Sequence, residues 1–345
     1  QEGTRQPANG PVYRKIGYME TLDAAKNHPH YSSPLNNKNQ GRGIAGGAWF
    51  NFTGPATAIV SVNADGTVAL VEGSPDIGGS RAAMAMQVAD VLGLNAEDVQ
   101  PSIASTDSIG YSSGAGGSSV TFKTGIASVE AAEDIKIQMK ERAAKIWDVD
   151  LQSVEYDKSV IKHVSDPELK FEFRELASKL NGTGGPIVGR ATVNPGGVGN
   201  AFAIHIVDVE VDVETGKVQI LRYTSIQDVG KAIHPSYVEG QLQGGAVQGI
   251  GWALNEEYFF NESGDMLNSS FLDYRMPVSL DLPMIDTVLV EVANPGHPFG
   301  VRGVGEACLI PPMAAIANAI NDAIGIRMNE LPMSPGKIVK ALEEI

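Results

Sequence analysis

Three glycine-rich runs stand out as places where backbone rather than side chains could bind a ligand: Asp76–Ser80, Ser112–Ser119 and Phe299–Glu306. Without a Cβ, glycine lets backbone amides approach a ligand closely, and amides at a helix N-terminus favour phosphate or other anionic oxygens. Two of the three runs precede helical patterns. Any one alone reads as a plain loop, but together they predict a cradle for a large phosphorylated cofactor. The third run ends in Glu306, which lies between Gly305 and Ala307, beside Cys308 and ahead of an apolar stretch closing in Pro311-Pro312. A carboxylate partly desolvated there has its pKa raised above the reference of about 4.3 and is suited to proton abstraction. The competing assignment is a salt-bridged structural glutamate.

Other residue types say less. Trp49, Phe50 and Phe52 cluster in a chain that is only 6% aromatic, and either wall a pocket for a planar substrate or pack in a core. Cys308 reads as a small buried hydrophobe rather than a nucleophile. His28 and His30 flank Pro29 in a segment that reads as a solvated loop, and the remaining histidines are scattered without a ligand spacing, so a metal held directly by protein side chains is not expected. A literal Gly-x-Gly-x-x-Gly at Gly41–Gly46 follows a polar segment instead of a strand and leads into an apolar, aromatic, strand-like run instead of a helix, which argues against a dinucleotide fingerprint.

Composition narrows the class. The 345 residues have room for roughly two domains of about 150 residues. With 43% hydrophobic and 19% charged residues the chain should fold. A net charge of −15 sets the overall field against nucleic acid and anionic membrane surfaces. No apolar run suggests a membrane span, the start is polar, and a cytoplasmic location is expected. The single cysteine excludes an internal disulfide and a thiolate-ligated iron–sulfur cluster within this chain.

These runs need elements to position them. Two β-rich runs from Ala56 to Glu72 flank a turn at Asn63-Ala64-Asp65-Gly66 and lead into the first glycine run. Ser80 is placed to cap a helix over Arg81–Leu92, with Met84, Val88 and Leu92 on its core face. A long helix is predicted from about Thr121 to Trp147. The second half repeats the plan: strands within Ile204–Tyr223 around Glu214-Thr215-Gly216, then Asp228-Val229-Gly230 and a helix over Tyr237–Trp252. A strand at Thr287–Val292 and helices near Pro311–Ile324 and Pro335–Glu343 complete the chain. Residues 1–43 read as an arm with a short helix around Tyr18–Lys26. The expected division is therefore an arm over 1–43 and α/β subdomains over 44–185 and 186–345.

Gly303-Val304-Gly305-Glu306, following Pro298-Phe299-Gly300 and leading into Pro311-Pro312, resembles the glutamate motif of the xanthine dehydrogenase and aldehyde oxidase family of molybdenum hydroxylases. Asp65–Val68, Asp76–Gly79, Gly116–Ser119, Gln227–Gly230 and the stretch from Glu239 to Gly249 fall in that family's order. The resemblance covers nearly the whole chain but only the second half of the family's molybdenum region. It implies an α+β fold of two related molybdopterin-binding subdomains, and a split enzyme in which this chain resembles the medium molybdopterin subunit of a nicotinate dehydrogenase.

By the same resemblance, Glu306 would be the general base in hydroxylation of an electron-poor N-heteroaromatic carbon with water as oxygen source. A purine-, aldehyde- or carbon monoxide-oxidising enzyme, or a non-catalytic assembly subunit, is the alternative. Gly78, Gly79, Ser80, Gly116, Gly117, Ser118, Ser119, Thr121, Gln248 and Gly305 would hold a molybdopterin, in its cytosine dinucleotide form, whose dithiolene carries molybdenum with a sulfido or selenido ligand. Trp49 and Phe50 would line the substrate pocket. A large molybdopterin subunit, an iron–sulfur subunit and an FAD subunit that passes electrons to NAD(P) would be partners. One departure is Gly79, where many relatives carry glutamine, so a side-chain contact there is lost or replaced by a backbone amide.

Overall fold

The computed structural model describes residues 2–5, 12–196 and 199–344, so that residues 6–11 of the expected arm lie outside the described residues. In chain order the elements are α1 (Tyr18–Asn27), α2 (Pro29–Ser32), β1 (Gln40–Trp49), β2 (Ala56–Val62), β3 (Val68–Glu72), α3 (Ser80–Leu92), β4 (Val99–Ile103), α4 (Thr106–Ile109) and α5 (Val120–Trp147). There follow β5 (Val154–Asp157), β6 (Val160–His163), β7 (Lys170–Glu172), α6 (Phe173–Thr183), β8 (Val188–Val193), β9 (Ala201–Val211) and β10 (Val218–Asp228). The chain ends with α7 (Pro235–Leu254), β11 (Ile285–Val290), α8 (Pro312–Ile324) and α9 (Pro335–Glu343).

Two compact units result. The first comprises Gln1–Phe50, Gly199–Val292 and Val304–Ile345; the second comprises Asn51–Val198 and Ala293–Gly303. This differs from the consecutive division at 43 and 185, and the reason is strand pairing. β1 runs antiparallel to β9 from Gln40 opposite Glu210 to Trp49 opposite Ala201, which joins the N-terminal segment to the later half. β8, beyond position 185, pairs with β2 and so belongs to the second unit.

Within the second unit the sheet order is β4-β3-β2-β8. Its centre is the antiparallel β2–β3 hairpin, turned at Asp65-Gly66, where Asp65 Oδ1 accepts from Thr67 N at 2.9 Å. α3 is the crossover to the parallel strand β4, and α5 packs on β2 and β8. Met84, Val88 and Leu92 are fully buried among Val60, Leu70 and Phe122, as their helical spacing predicts. A small antiparallel sheet, β5-β6-β7, completes this unit.

The first unit repeats this topology in the sheet β1-β9-β10-β11. The antiparallel β9–β10 hairpin is central, α7 is the crossover to parallel β11, and α8 packs on β1 and β9. The expected pair of related α/β subdomains is thus present, with one change of order. The antiparallel edge strand comes last in the second unit, as β8, and first in the first unit, as β1.

The N-terminal segment is not a solvated arm. Thr21 and Ala25 of α1 are buried, and Ala25 packs with Ile204, Ile206 and Ile226. Gly17 N donates to Asp228 Oδ2 at 2.9 Å. His30, expected in a solvated loop, is fully buried: its Nδ1 is 2.8 Å from Thr224 Oγ1 and its Nε2 3.1 Å from Asp208 Oδ2. Arg42 grips the same carboxylate with two 2.7 Å bonds, from Nε to Oδ1 and from a terminal nitrogen to Oδ2. It also donates to the carbonyls of Tyr31 and Ser33. Burial alone would raise the pKa of Asp208, but the hydrogen bonds from His30 and Arg42 outweigh it and hold the carboxyl below its ordinary range.

The Gly-x-Gly-x-x-Gly run serves packing. A Cβ at Gly43 would overlap the backbone carbonyl of Ala315, and one at Gly41 would overlap backbone atoms of Ala319 and Ala323, so the bare strand lets α8 lie directly on it. By length and composition Ala307–Ile324 could cross a membrane. In the structure its apolar residues Ala315, Ile316, Ala319 and Ile320 are fully buried in the first unit's core, which accounts for that composition.

Candidate functional site

The candidate residues fall in both units. In the second unit, Gly78 and Gly79 take positive φ of 61° and 78° at the entry to α3, a conformation that suits glycine. Gly79 is the N-cap. Ser80 is not the expected cap: it is the first residue of α3, and its Oγ accepts upstream, from Ile77 N at 3.2 Å. Asp76 does the capping instead, its Oδ1 accepting from Arg81 N at 3.0 Å while its Oδ2 pairs with the Arg81 guanidinium at 3.2 Å. Among the described residues no protein group accepts from the amides of Gly78 or Gly79.

The second glycine run is fixed from beneath by a residue not singled out in the sequence. Lys123, on α5, is buried and donates from Nζ to Ser113 O at 2.6 Å, Ser113 Oγ at 2.5 Å and Gly114 O at 2.8 Å. Burial lowers its pKa. Gly117 has φ 72°, and an added Cβ would overlap the ring of Phe52, whose amide donates to Gly117 O at 2.9 Å. Gly116, in contrast, has open space where a Cβ would stand. Ser119 Oγ is turned inward to Gly116 O at 3.0 Å, and Ser118 holds a positive φ of 56°. Thr121 lies in the first turn of α5, half-buried.

The same loop meets the start of the glutamate motif. A Cβ at Gly303 would overlap the carbonyl of Ser118 and stand 2.8 Å from Asn51 Oδ1. Asn51 Nδ2 donates to Gly303 O at 3.3 Å, while its Oδ1 is buried with no protein partner. His297 anchors the segment before it: Nδ1 accepts from Phe299 N at 3.0 Å and the ring lies 5.4 Å from that of Phe122. Burial pushes its pKa down to about 4, so it is neutral at pH 7.

At the end of β3, just before the first glycine run, Glu72 is 1% exposed. Burial pushes its carboxyl up to about 7, although Ser74 N donates to Oε2. The folded chain therefore keeps a proton that the unfolded chain releases near the ordinary value of 4.5. The contribution of Glu72 to stability is fully present below pH 4.5 and is lost as pH rises through the window from 4.5 to 7, a loss on the order of 3 kcal/mol. Glu72→Gln should abolish this decline. Chemical denaturation at pH 5 and pH 8 checks it, and an equal decline in wild type and variant would show that Glu72 ionises freely.

In the first unit, Glu306 is half-buried at the N-cap of a single 3-10 turn, Ala307–Leu309. Gly305, also half-buried, precedes it. The turn is held on three sides. Gln227, fully buried at the end of β10, donates from Nε2 to Val304 O at 3.1 Å. Cys308 Sγ lies 3.4 Å from the carbonyls of Gln241 and Gly305. α7 offers a flat surface to the turn, because a Cβ at Gly245 would overlap Cys308 Sγ and one at Gly249 would stand 2.5 Å from Pro312. Cys308 is fully buried, and burial pushes its thiol up to about 12, so it is a packing residue and not a nucleophile. Gln248, between these glycines, points its side chain to solvent.

Trp49 and Phe50 stack with ring centroids 4.7 Å apart at the end of β1. Phe50 is 46% exposed, so the pair is not a core contact, and Trp49 Nε1 is buried without a protein partner. Sequence reasoning overlooked Gln227, Lys123, Asn51 and Gly245 as residues that hold the loops. Gln227 and Gly245 lay in stretches already noticed, and all four act through contacts that the sequence alone does not display.

The chain's residues 14–283 match the molybdopterin cofactor-binding domain family, and the chain belongs to that family. It is 30% identical to the xanthine dehydrogenase molybdenum-binding subunit of Escherichia coli O157:H7, over 98% of this chain and 48% of that protein. It is 27% identical to the nicotine 6-hydroxylase large subunit of Paenarthrobacter nicotinovorans, over 97% of this chain and 45% of that protein. Its fold matches quinoline 2-oxidoreductase from Pseudomonas putida 86 with a TM-score of 0.86 at 24% identity, over 99% of this chain and 48% of that one. The chain spans about half the length of these relatives.

Proposed function

We propose that this chain is the glutamate-bearing molybdopterin subunit of a multi-subunit molybdenum hydroxylase acting on an electron-poor N-heteroaromatic ring, with nicotinate, converted to 6-hydroxynicotinate, as the substrate of choice. The observation that carries the proposal is the placement of Glu306: a half-buried carboxylate on a turn fixed by Gln227, Cys308 and α7, in a chain of the molybdopterin-binding family. The ring class is supported by similarity to a protein named for hydroxylating nicotine.

The residues present fit the cofactor. The Gly78 and Gly79 amides at the N-terminus of α3 suit anionic oxygens. Among the described residues no atom lies within 4 Å of where a Cβ of Gly116 would stand, and Asn51 Oδ1 is buried without a protein donor. When bound, the molybdenum centre supplies the oxygen given to the substrate and takes up its electron pair. The protein's part is to hold and orient that group through Gly78–Ser80, Gly116–Ser119, Thr121, Gly305 and Gln248, and to accept a proton on the Glu306 carboxylate. Trp49 and Phe50 would stack against a planar ring. The cofactor is proposed in its cytosine dinucleotide form with a sulfido or selenido ligand, and iron–sulfur and FAD subunits would carry electrons onward to NAD(P).

Elemental analysis of the complex purified through a tag on this chain tests the proposal. Molybdenum with iron, cytidine monophosphate released on hydrolysis, and turnover of nicotinate in preference to xanthine are expected. An assembled complex without molybdenum would overturn the assignment.

A further inference from the structure

From α7 to β11 the chain passes through residues 255–284 without helix or strand, apart from one bridge between Phe260 and Met266. Structureless loops beyond about 12–15 residues are uncommon in compact domains and usually serve a function. This one exposes what folding normally hides. Phe271 is 89% exposed, Leu272 90%, Leu280 94% and Met284 86%, with Tyr258 and Phe260 each at or above 60%. All six belong to the first unit. Large apolar side chains gathered this way on one segment mark a contact surface.

We propose that residues 255–284 are the docking surface for the large molybdopterin subunit of the proposed complex, a polypeptide resembling the half of the relatives that this chain does not span. This rests on the reading of the chain as part of a molybdenum hydroxylase complex. Length argues for the occupant: the alignments use 98% and 97% of this chain but 48% and 45% of the two relatives, which therefore carry about as much polypeptide again. Charge argues against a second copy. The segment carries Glu256, Glu257, Glu262, Asp265, Asp273 and Asp281 against Arg275, on a chain of net charge −15, so self-pairing would set acid against acid. The partner should present an apolar surface rimmed by lysine and arginine.

The test places Phe271→Asp with Leu280→Asp in the tagged chain in its native host. The wild-type chain should co-purify in equal amount with one polypeptide whose sequence, identified by mass, resembles the unspanned half of the relatives. The double variant should lose at least about tenfold of it, while its own thermal midpoint stays at the wild-type value, since side chains this exposed contribute little to the fold. Met284→Glu alone carries the same expectation if the double variant does not fold. Full retention of the partner by the variants, a wild-type chain purified alone, or cross-links from residues 255–284 to a second copy would each overturn the surface. Molybdenum measured in the same wild-type preparation separates the two conclusions. Partner loss by the variants without molybdenum in the wild type sinks the hydroxylase assignment and keeps the surface; molybdenum with partner retention does the reverse.

Discussion

Glu306→Gln should lower turnover of the assembled complex by roughly 100- to 10,000-fold, the range a positioned acid–base group contributes. Molybdenum content, pterin content and subunit composition should stay at wild-type values. The expectation follows from how the turn is built. Its backbone is held by Gln227 at Val304, by the sulfur of Cys308 among three carbonyls, and by the glycine face of α7. These contacts are made by the backbone and by Cys308, so a glutamine of the same shape should keep them while losing the capacity to take a proton. Steady-state rates with matched molybdenum loading decide the matter. Turnover within a few-fold of wild type would end the assignment of Glu306 as the base and favour a structural glutamate.

Arg42→Met should destabilise the first unit by about 3–5 kcal/mol, the cost typical of leaving one member of a buried ion pair without its partner. Asp208 is 5% exposed and receives both of its short charge-assisted bonds from Arg42, while His30 touches only Oδ2. Arg42 also ties the carbonyls of Tyr31 and Ser33, so the segment after α1 should loosen together with the β1–β9 pairing. Denaturant unfolding of the chain measures the loss, and adding Asp208→Asn should recover part of it by removing the stranded charge. A loss below about 1 kcal/mol would mean that the pair is screened as a surface bridge is.

How much of this was legible in the sequence depended on range. The hairpins around Asp65-Gly66 and Glu214–Gly216 and the helices after the glycine runs were read from local signals, because a turn residue and a 3.6 period act over a few neighbours. The end of β1 fell in a run that read as strand-like, but its first part escaped because the glycines, required by α8 lying on the strand, erase the alternation that marks a strand. The burial of His30 escaped for a related reason, since its partners Thr224 and Asp208 lie far along the chain. Ser80 looked like a cap because Ser-x-x follows a loop, yet Asp76 reached the first turn from further back. The glutamate motif itself was visible as a pattern, while the groups that hold it, Gln227 and the α7 glycines, became evident only once β10 and α7 were brought to it. Exposure of the apolar residues in 255–284 cannot be read from a sequence at all, because it depends on what fails to cover them.

The exchange of edge-strand order between the two units also sets a timetable for synthesis. β2, β3, β4 and β8, with α3 and α5, have all left the ribosome once Val193 is made, so that sheet can assemble from the emerging chain. β1 is made earlier than any of them, but its first residue pairs with Glu210, 170 positions later. Until β9 is made, β1 is thus an unpaired, glycine-rich edge whose strand partner does not yet exist. Its four glycines, with Ile44 and Trp49 the only large apolar side chains among its ten residues, keep that waiting strand a poor template for aggregation, a benefit during translation of the same glycines that admit α8 in the finished fold.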